Sequence, residues 1–176
     1  MSYVLSKINK INVSELSENW LEQIEELDED AAYLLGSIER IVSWCEKILD
    51  GGKPQCLWAL CDEGSDCPRA IVEMTNATGS KDPSFKFLNI HVEPRLILDF
   101  KQDIGKNELE ALGKIIAYAF MESLKLALNS GSKKLKIYAR TQEMNTLFDT
   151  LILKSTPEEG ADLYRQGKWL VIEANR

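Results

Sequence analysis

The chain has 176 residues, of which 44% are hydrophobic, and its 28 Asp and Glu against 21 Lys and Arg give a net charge of −7. This length and hydrophobic content predict one domain over residues 1–176 with a core of its own. The acidic excess disfavours a broad nucleic-acid surface, which needs clustered Lys and Arg. With no run of about 18 apolar residues and no secretory-type start, we expect a cytoplasmic protein without a membrane span.

The first fifty residues predict a short strand and two helices. Apolar residues over Tyr3–Leu5 and Ile8–Val13 favour an opening strand. Ser14 then caps a first helix, whose apolar residues recur at helical spacing: Leu16, Trp20, Ile24 and Leu27. The Gly51-Gly52 pair ends a second helix, whose apolar stripe comprises Ile38, Ile41, Val42, Cys45, Ile48 and Leu49.

An acidic segment separates these two helices, with five carboxylates within six positions: Glu25, Glu26, Asp28, Glu29 and Asp30. Residues 1–50 hold eleven carboxylates and only four basic residues, so the negative charge is concentrated here. Such a cluster raises the local concentration of a cation. These five residues are the predicted substrate-binding set for a polyamine, an aminoglycoside or a lysine side chain. The alternative is a solvated helix end without a ligand.

Three strand-like segments follow the second helix, at Gln55–Asp62, Arg69–Thr75 and Phe85–Leu98. Turns that contain Gly, Ser, Asp and Pro separate them, which predicts an antiparallel meander. A long amphipathic helix over Glu108–Asn129 comes next and stops at Gly131.

The last third of the chain predicts a strand over Lys134–Ala139, a helix over Met144–Leu153, and a final strand or hairpin from Leu163–Tyr164 and Lys168–Ala174. A strand reached through a 22-residue helix is expected to run parallel to the strand before it. The predicted fold class is therefore α/β with a mixed (α+β) sheet, in the order β-α-α-β-β-β-α-β-α-β.

A glycine turn, Gln102–Asn107, joins the third strand of the meander to the long helix. The first N–H groups of a helix lack internal partners and carry the positive end of its dipole, so this arrangement binds phosphate. The predicted cofactor-binding residues are Gln102, Ile104, Gly105, Lys106 and Asn107. The alternative is that Asn107 only caps the helix, with Glu110 completing a capping-box-like pair.

The element order over nearly the whole chain resembles the core of the GNAT superfamily of N-acetyltransferases. The turn also resembles the family's Gln/Arg-x-x-Gly-x-Gly/Ala loop, with Asn107 in place of the last Gly or Ala. The closing segment Tyr164–Glu173 looks like the family's final strands, and the acidic segment occupies its first interhelical loop. The resemblance implies that the turn holds the pyrophosphate of acetyl-coenzyme A and that the acidic segment borders the acceptor site.

Acetyl transfer to an amine needs a base for the amine proton and a donor for the oxyanion. Alternation along the third meander strand puts His91 and Glu93 on one face. Glu93 is therefore the first candidate base, directly or through water, His91 the second and Glu73 the third. The alternative is that His91 is a hydrogen-bonded sheet residue and Glu93 a solvated strand end.

The general acid stays unassigned. The resemblance implies a tyrosine in or after the helix that follows Lys134–Ala139, but Phe148 lies there and no tyrosine occurs between Tyr138 and Tyr164. Tyr138 and Tyr164 remain as donors to the thiolate, and Tyr164 joins the catalytic candidates. Both also fit the role of strand packing residues with a satisfied hydroxyl.

These features predict an acyl-coenzyme A-dependent N-acetyltransferase that acts on a cationic amine by direct transfer, with acetyl-coenzyme A as cofactor. The expected partner is a small-molecule amine or a lysine side chain, with no nucleic acid, no membrane and a homodimer left open. No metal site is expected, because the four cysteines form no Cys-x-x-Cys pair. The alternative is a GNAT-like module without catalysis that binds coenzyme A or a protein partner, which would explain Asn107 and Phe148 together.

Overall fold

The computed structural model describes residues 3–8, 10–25, 32–52, 56–65, 67–77, 79, 81, 83–94, 106–154 and 160–175. In chain order the elements are β1 (Tyr3–Lys7), α1 (Lys10–Glu25), α2 (Ala32–Asp50), β2 (Leu57–Asp62), β3 (Pro68–Asn76), β4 (Phe85–Val92), α3 (Lys106–Asn129), β5 (Lys134–Tyr138), α4 (Gln142–Lys154), β6 (Ala161–Gln166) and β7 (Trp169–Ala174). Among these helices, none is both long and apolar enough to cross a bilayer.

The strands of the described residues form a seven-stranded sheet in the order β1-β2-β3-β4-β5-β7-β6. The strand pairs β1–β2, β2–β3, β5–β7 and β6–β7 are antiparallel, whereas β4 and β5 are parallel. The long helix α3 connects the two parallel strands, as its length predicts. The predicted α/β class with a mixed sheet is confirmed.

The first helix begins earlier than the sequence predicts. A strand over Ile8–Val13 and a cap at Ser14 are both wrong, because α1 already begins at Lys10. Val13 is buried on the same helical stripe as Leu16, so it belongs to the helix and not to a strand. A short apolar run fits both the helical and the strand period, and burial against the rest of the core decides between them.

The chain divides into two compact units. The first comprises residues 1–73 and 90–120. Its core contains Ile8, which follows β1, and buried residues of α1, α2, β2 and β3: Val13, Leu16, Trp20, Ile24, Leu34, Ile38, Cys45, Leu57, Ala59, Cys61 and Ile71. As predicted, α2 ends at the glycine pair, where the Gly51 N–H donates to Lys47 O at 2.9 Å and Gly52 adopts a φ of 72°.

The second unit comprises residues 74–89 and 121–176. Its β6–β7 hairpin closes at Gly167, whose φ of 62° suits a tight turn. Of the two predicted alternatives, a final strand or a hairpin, the hairpin is confirmed, so the order has one strand more than the predicted one. Phe148 in α4 is fully buried, as are Leu135 and Ile137 of β5.

Strand β4 is shorter than the predicted segment Phe85–Leu98, because it ends at Val92. The next N–H, that of Glu93, still donates to Arg69 O at 2.9 Å. Pro94 then has no N–H with which to continue the ladder. The rest of the predicted segment, residues 95–98, lies outside the described residues.

The parallel ladder between β4 and β5 is also short. Its register pairs Phe85–Phe87 with Leu135–Ile137. Directly beyond it, Leu88 O accepts a hydrogen bond from the side-chain Nε of Arg140 at 3.1 Å. The two strands are therefore paired at the first three residues of β4, and the Arg140 side chain bonds the next carbonyl of β4.

Candidate functional site

Most of the predicted cofactor and substrate residues lie outside the described residues: Gln102, Ile104, Gly105, Glu26, Asp28, Glu29 and Asp30. Lys106 and Asn107 are the first two residues of α3, so Asn107 lies inside the helix and the prediction that it caps the helix is wrong. Glu25 is exposed at the last residue of α1. The cofactor and substrate assignments at all these positions stay predictions.

A polar cleft of about 330 Å³ lies in the first unit. Its lining comes from α1, from β2 and β3 with their connecting turn, and from the residue after β4: Asn19, Glu22, Gln23, Asp62, Ser65, Cys67, Arg69 and Glu93. Three of these side chains are carboxylates and one is a guanidinium. The cleft therefore carries an excess of negative charge, and one predicted catalytic residue, Glu93, lines it.

Arg69 joins two of the carboxylates of this cleft. Its Nε donates to Asp62 Oδ2 at 2.9 Å, and its Nη1 donates to both oxygens of Glu93 at 2.7 and 2.9 Å. The Glu93 side chain is only 4% exposed, whereas that of Arg69 is 33% exposed. Burial lowers the pKa of Arg69, but the charges of Glu93 and Asp62 outweigh burial and raise it overall.

Local backbone structure delivers these side chains to one place. The β2–β3 ladder shifts its register between Leu60 and Cys61, an irregularity of the kind that redirects a strand end. The turn after Asp62 is closed by the Ser65 N–H, which donates to Asp62 O at 2.9 Å. Asp62 and Arg69 thus lie at the two ends of one connection, within reach of each other.

Helix α1 is fixed against the start of β3 by Trp20. This side chain is fully buried, and its Nε1 donates to Pro68 O at 3.0 Å. One turn further along α1, the Gln23 side chain reaches the cleft. The indole hydrogen bond therefore sets the position from which α1 contributes to the cleft.

Two buried oxygen atoms of this cleft have no hydrogen-bond partner among the described residues: Gln23 Oε1 and Asp62 Oδ1. The Gln23 amide nitrogen donates to Asn19 Oδ1 at 2.9 Å and to Glu93 Oε2 at 3.3 Å. A carboxylate accepts hydrogen bonds only, so the amide nitrogen faces Glu93 and the amide oxygen points elsewhere. Both unsatisfied atoms are acceptors, which call for donors.

The negative charge of the cleft also acts on nearby titratable groups. Burial, together with the charge of Asp62, raises the pKa of the Tyr3 phenol. Burial and the charge of Glu93 likewise raise the pKa of the Cys67 thiol from its usual 9.0, although Arg69 partly offsets this. Cys67 is therefore a neutral thiol at neutral pH and not an activated nucleophile.

His91, the second candidate base, has different surroundings from Glu93. Its ring packs edge-on against Trp44 of α2, with the ring centroids 5.3 Å apart. His91 is half-buried and does not line the polar cleft, whereas Glu93 bonds to Gln23 of α1. The two candidate bases therefore lie beside different helices, His91 beside α2 and Glu93 beside α1.

Tyr164 lies in the second unit and has a definite partner. Its hydroxyl donates to Glu173 Oε2 at 2.9 Å, and Glu173 also pairs with Lys134 Nζ at 3.4 Å. Burial, followed by the hydrogen bond to Glu173, raises the pKa of Tyr164. Phe148 is fully buried and lies 5.5 Å from the guanidinium carbon of Arg165.

The sequence does not single out the residues that bond to Glu93. Arg69 is 24 positions away along the chain and Gln23 is 70 positions away. One usable signal exists, since Arg69 is a charged residue at the start of β3 and Asp62 is the last residue of the strand before it. Opposite charges at facing ends of a hairpin favour a salt bridge.

The element order and the mixed sheet give the chain the α/β fold class that the sequence predicts. No family model matches the sequence, and no curated protein matches it. Among solved structures, the chain is similar to a PaiA N-acetyltransferase from Thermoplasma acidophilum in complex with coenzyme A, at 16% identity and a TM-score of 0.44, covering 100% of both chains.

Two further solved structures are similar to the chain. One is a GNAT-family acetyltransferase from Listeria monocytogenes, at 9% identity and a TM-score of 0.49. The match covers 99% of this chain and 95% of the Listeria chain. The other is AtaT in complex with acetyl-methionyl-tRNAfMet, at 11% identity and a TM-score of 0.42. The match covers 77% of this chain and 82% of the AtaT chain. At such identities and TM-scores, these likenesses give no information about substrate or mechanism.

Proposed function

We propose that this chain is an acyl-coenzyme A-dependent N-acetyltransferase that acts on a cationic amine. The observation that carries the proposal is the β4–α3–β5 crossover, in which two parallel strands pair only at Phe85–Phe87 and Leu135–Ile137. In the family that the chain resembles, the loop before this crossover helix holds the pyrophosphate of acetyl-coenzyme A. Gly105 directly precedes α3 along the chain, and the N-terminal N–H groups of a helix suit a pyrophosphate.

The proposed reaction is direct attack of a neutral amine on the thioester carbonyl of acetyl-coenzyme A. The amine nitrogen forms the new C–N bond and gives up one proton, while the C–S bond breaks and the thiolate takes up a proton. Glu93 is the first candidate to accept the amine proton and His91 the second. Because both oxygens of Glu93 already accept hydrogen bonds from Arg69, a water-mediated transfer suits Glu93 better than direct contact.

Tyr164 is the candidate to protonate the departing thiolate. Its hydroxyl donates to Glu173, so it would have to exchange that partner during the reaction. The hydrogen bond holds the hydroxyl protonated, which is the form that an acid needs.

Specific observations favour a second candidate function, a module that binds coenzyme A or a protein without transfer. Phe148 is fully buried where the resemblance implies a phenol. The Tyr164 hydroxyl and the Glu93 carboxylate both have protein partners within the unit that contains them. A binding module would take up coenzyme A but release no free thiol from its acetyl form.

The Gly105→Asp substitution tests the cofactor site. A carboxylate in the turn repels pyrophosphate, so we expect the Kd for acetyl-coenzyme A to rise by at least about 30-fold in isothermal titration. Gly79→Asp is the matched control, because Gly79 is exposed and a Cβ there meets nothing within 4 Å. The control adds the same charge and is expected to bind acetyl-coenzyme A as the parent does.

Absence of binding by the parent protein would contradict both candidate functions that involve coenzyme A. Equal affinity of the parent and Gly105→Asp for acetyl-coenzyme A would show that the cofactor does not bind at the predicted turn. Circular dichroism of each variant establishes that the loss of binding is not loss of the fold.

A further inference from the structure

We infer that the polar cleft of the first unit is a binding site for an alkylammonium group, the charged end of a primary amine. This inference does not rest on acetyl transfer, because a cation can bind there with or without acetyl-coenzyme A. It assigns the ligand to residues Gln23, Asp62 and Glu22, none of which belongs to the predicted acidic segment.

Two buried acceptor atoms of the cleft lack a donor among the described residues. Gln23 is only 9% exposed, and its Oε1 accepts no hydrogen bond from any described residue. Asp62 Oδ1 is likewise buried and without a donor there, since Arg69 bonds only the other oxygen. A buried acceptor without a donor costs free energy, which a ligand with several N–H groups recovers. An ammonium group has three donors and no acceptor.

The side chains that line the cleft carry an excess of negative charge. Glu22, Asp62 and Glu93 line the cleft together with a single cation, Arg69. The guanidinium of Arg69 already forms hydrogen bonds to both Asp62 and Glu93. The remaining negative charge favours a cationic ligand and opposes an anionic one.

Hydrogen bonds within the cleft fix the orientation of its side chains. Gln23 cannot turn its amide nitrogen toward the ligand without facing its oxygen to the Glu93 carboxylate. The guanidinium of Arg69 holds Glu93 from the other side with hydrogen bonds of 2.7 and 2.9 Å. The acceptors are therefore oriented before the ligand arrives, which reduces the entropy that binding costs.

The test uses 1,5-diaminopentane, a flexible diamine small enough for a cleft of about 330 Å³. Isothermal titration into the full chain, without acetyl-coenzyme A, is expected to give saturable binding of one diamine. 1,5-Pentanediol has the same chain length but no charge, and it is expected not to bind. Failure of this binding while acetyl-coenzyme A still binds would overturn the site and leave the proposed function standing.

Two substitutions locate the diamine. Gln23→Leu removes the unsatisfied acceptor Oε1 and leaves a side chain of similar volume. Glu22→Gln removes one negative charge from an exposed residue that lines the cleft. We expect the Kd for 1,5-diaminopentane to rise about tenfold or more for Gln23→Leu and severalfold for Glu22→Gln. Glu18→Gln is the matched control, since Glu18 is an exposed residue of α1 that does not line the cleft.

Parent-like affinity in both cleft variants would overturn the inference and place the cation elsewhere. Glu22→Gln keeps the test decisive if Gln23→Leu fails to fold, because its side chain is exposed. Equal weakening by Glu18→Gln and Glu22→Gln would also overturn it, since only the general charge of α1 would then matter.

Discussion

Arg69→Met is expected to lower the free energy of unfolding by about 3 kcal/mol, because it leaves a buried carboxylate without its cation. Glu93 is 4% exposed, and Arg69 supplies two of its hydrogen bonds. The same change removes the hydrogen bond to Asp62 Oδ2. We place the effect at the lower end of the usual range, since Arg69 is 33% exposed and water screens part of its charge. Urea denaturation followed by circular dichroism measures it.

The double variant Arg69→Met/Glu93→Gln tests the cause of this loss. Replacing the charge of Glu93 removes the uncompensated carboxylate, so the double variant is expected to be more stable than Arg69→Met alone. The matched control is Lys114→Met, which breaks an ion pair whose side chains are 61% and 59% exposed. It is expected to leave stability unchanged. A parent-like Arg69→Met protein would contradict the role of this pair.

Trp20→Ala is expected to lower the free energy of unfolding by about 4 kcal/mol, as is usual for deletion of a buried aromatic side chain. Trp20 is fully buried in the core of the first unit and bonds Pro68 O. Trp20→Phe keeps most of the apolar volume but leaves that carbonyl unsatisfied, so a smaller loss of about 1–2 kcal/mol is expected. The same urea denaturation measures both.

Leu153→Ala is the control for Trp20→Ala, because Leu153 is a large apolar residue that is 86% exposed. Its removal opens no cavity and is expected to change stability little. If Trp20→Ala proved no more destabilising than Leu153→Ala, the position assigned to α1 beside β3 would be wrong. Because Trp20 bonds the carbonyl of Pro68, which lies between the lining residues Cys67 and Arg69, Trp20→Phe is also expected to weaken 1,5-diaminopentane binding.

The sequence predicts the elements whose ends carry their own signals. The glycines after α2 and α3 mark helix ends, because Gly52 and Gly131 adopt positive φ values that other residues avoid. The parallel pairing of β4 with β5 follows from the length of α3. The start of α1 is missed, since the apolar residues before Ser14 fit either period and only burial in the core decides.

The candidate site is less readable from the sequence. Strand alternation draws attention to Glu93, but it predicts nothing about Arg69, which bonds to it. Hydrogen bonds between α1, β3 and the end of β4 depend on tertiary packing, which periodicity does not encode. The alternative that Glu93 is a solvated strand end is wrong, because its side chain is 4% exposed.

The proposed function is tested most directly by acetyl transfer itself. The purified chain is incubated with acetyl-coenzyme A and, separately, 1,5-diaminopentane, an aminoglycoside and a lysine-containing peptide, while free coenzyme A thiol and the acetylated product are measured. We predict thiol release matched by N-acetylation of at least one amine, lost in Gly105→Asp and retained in Gly79→Asp. Thiol release no faster than without protein, from a chain that binds acetyl-coenzyme A, would contradict catalysis and favour the binding module.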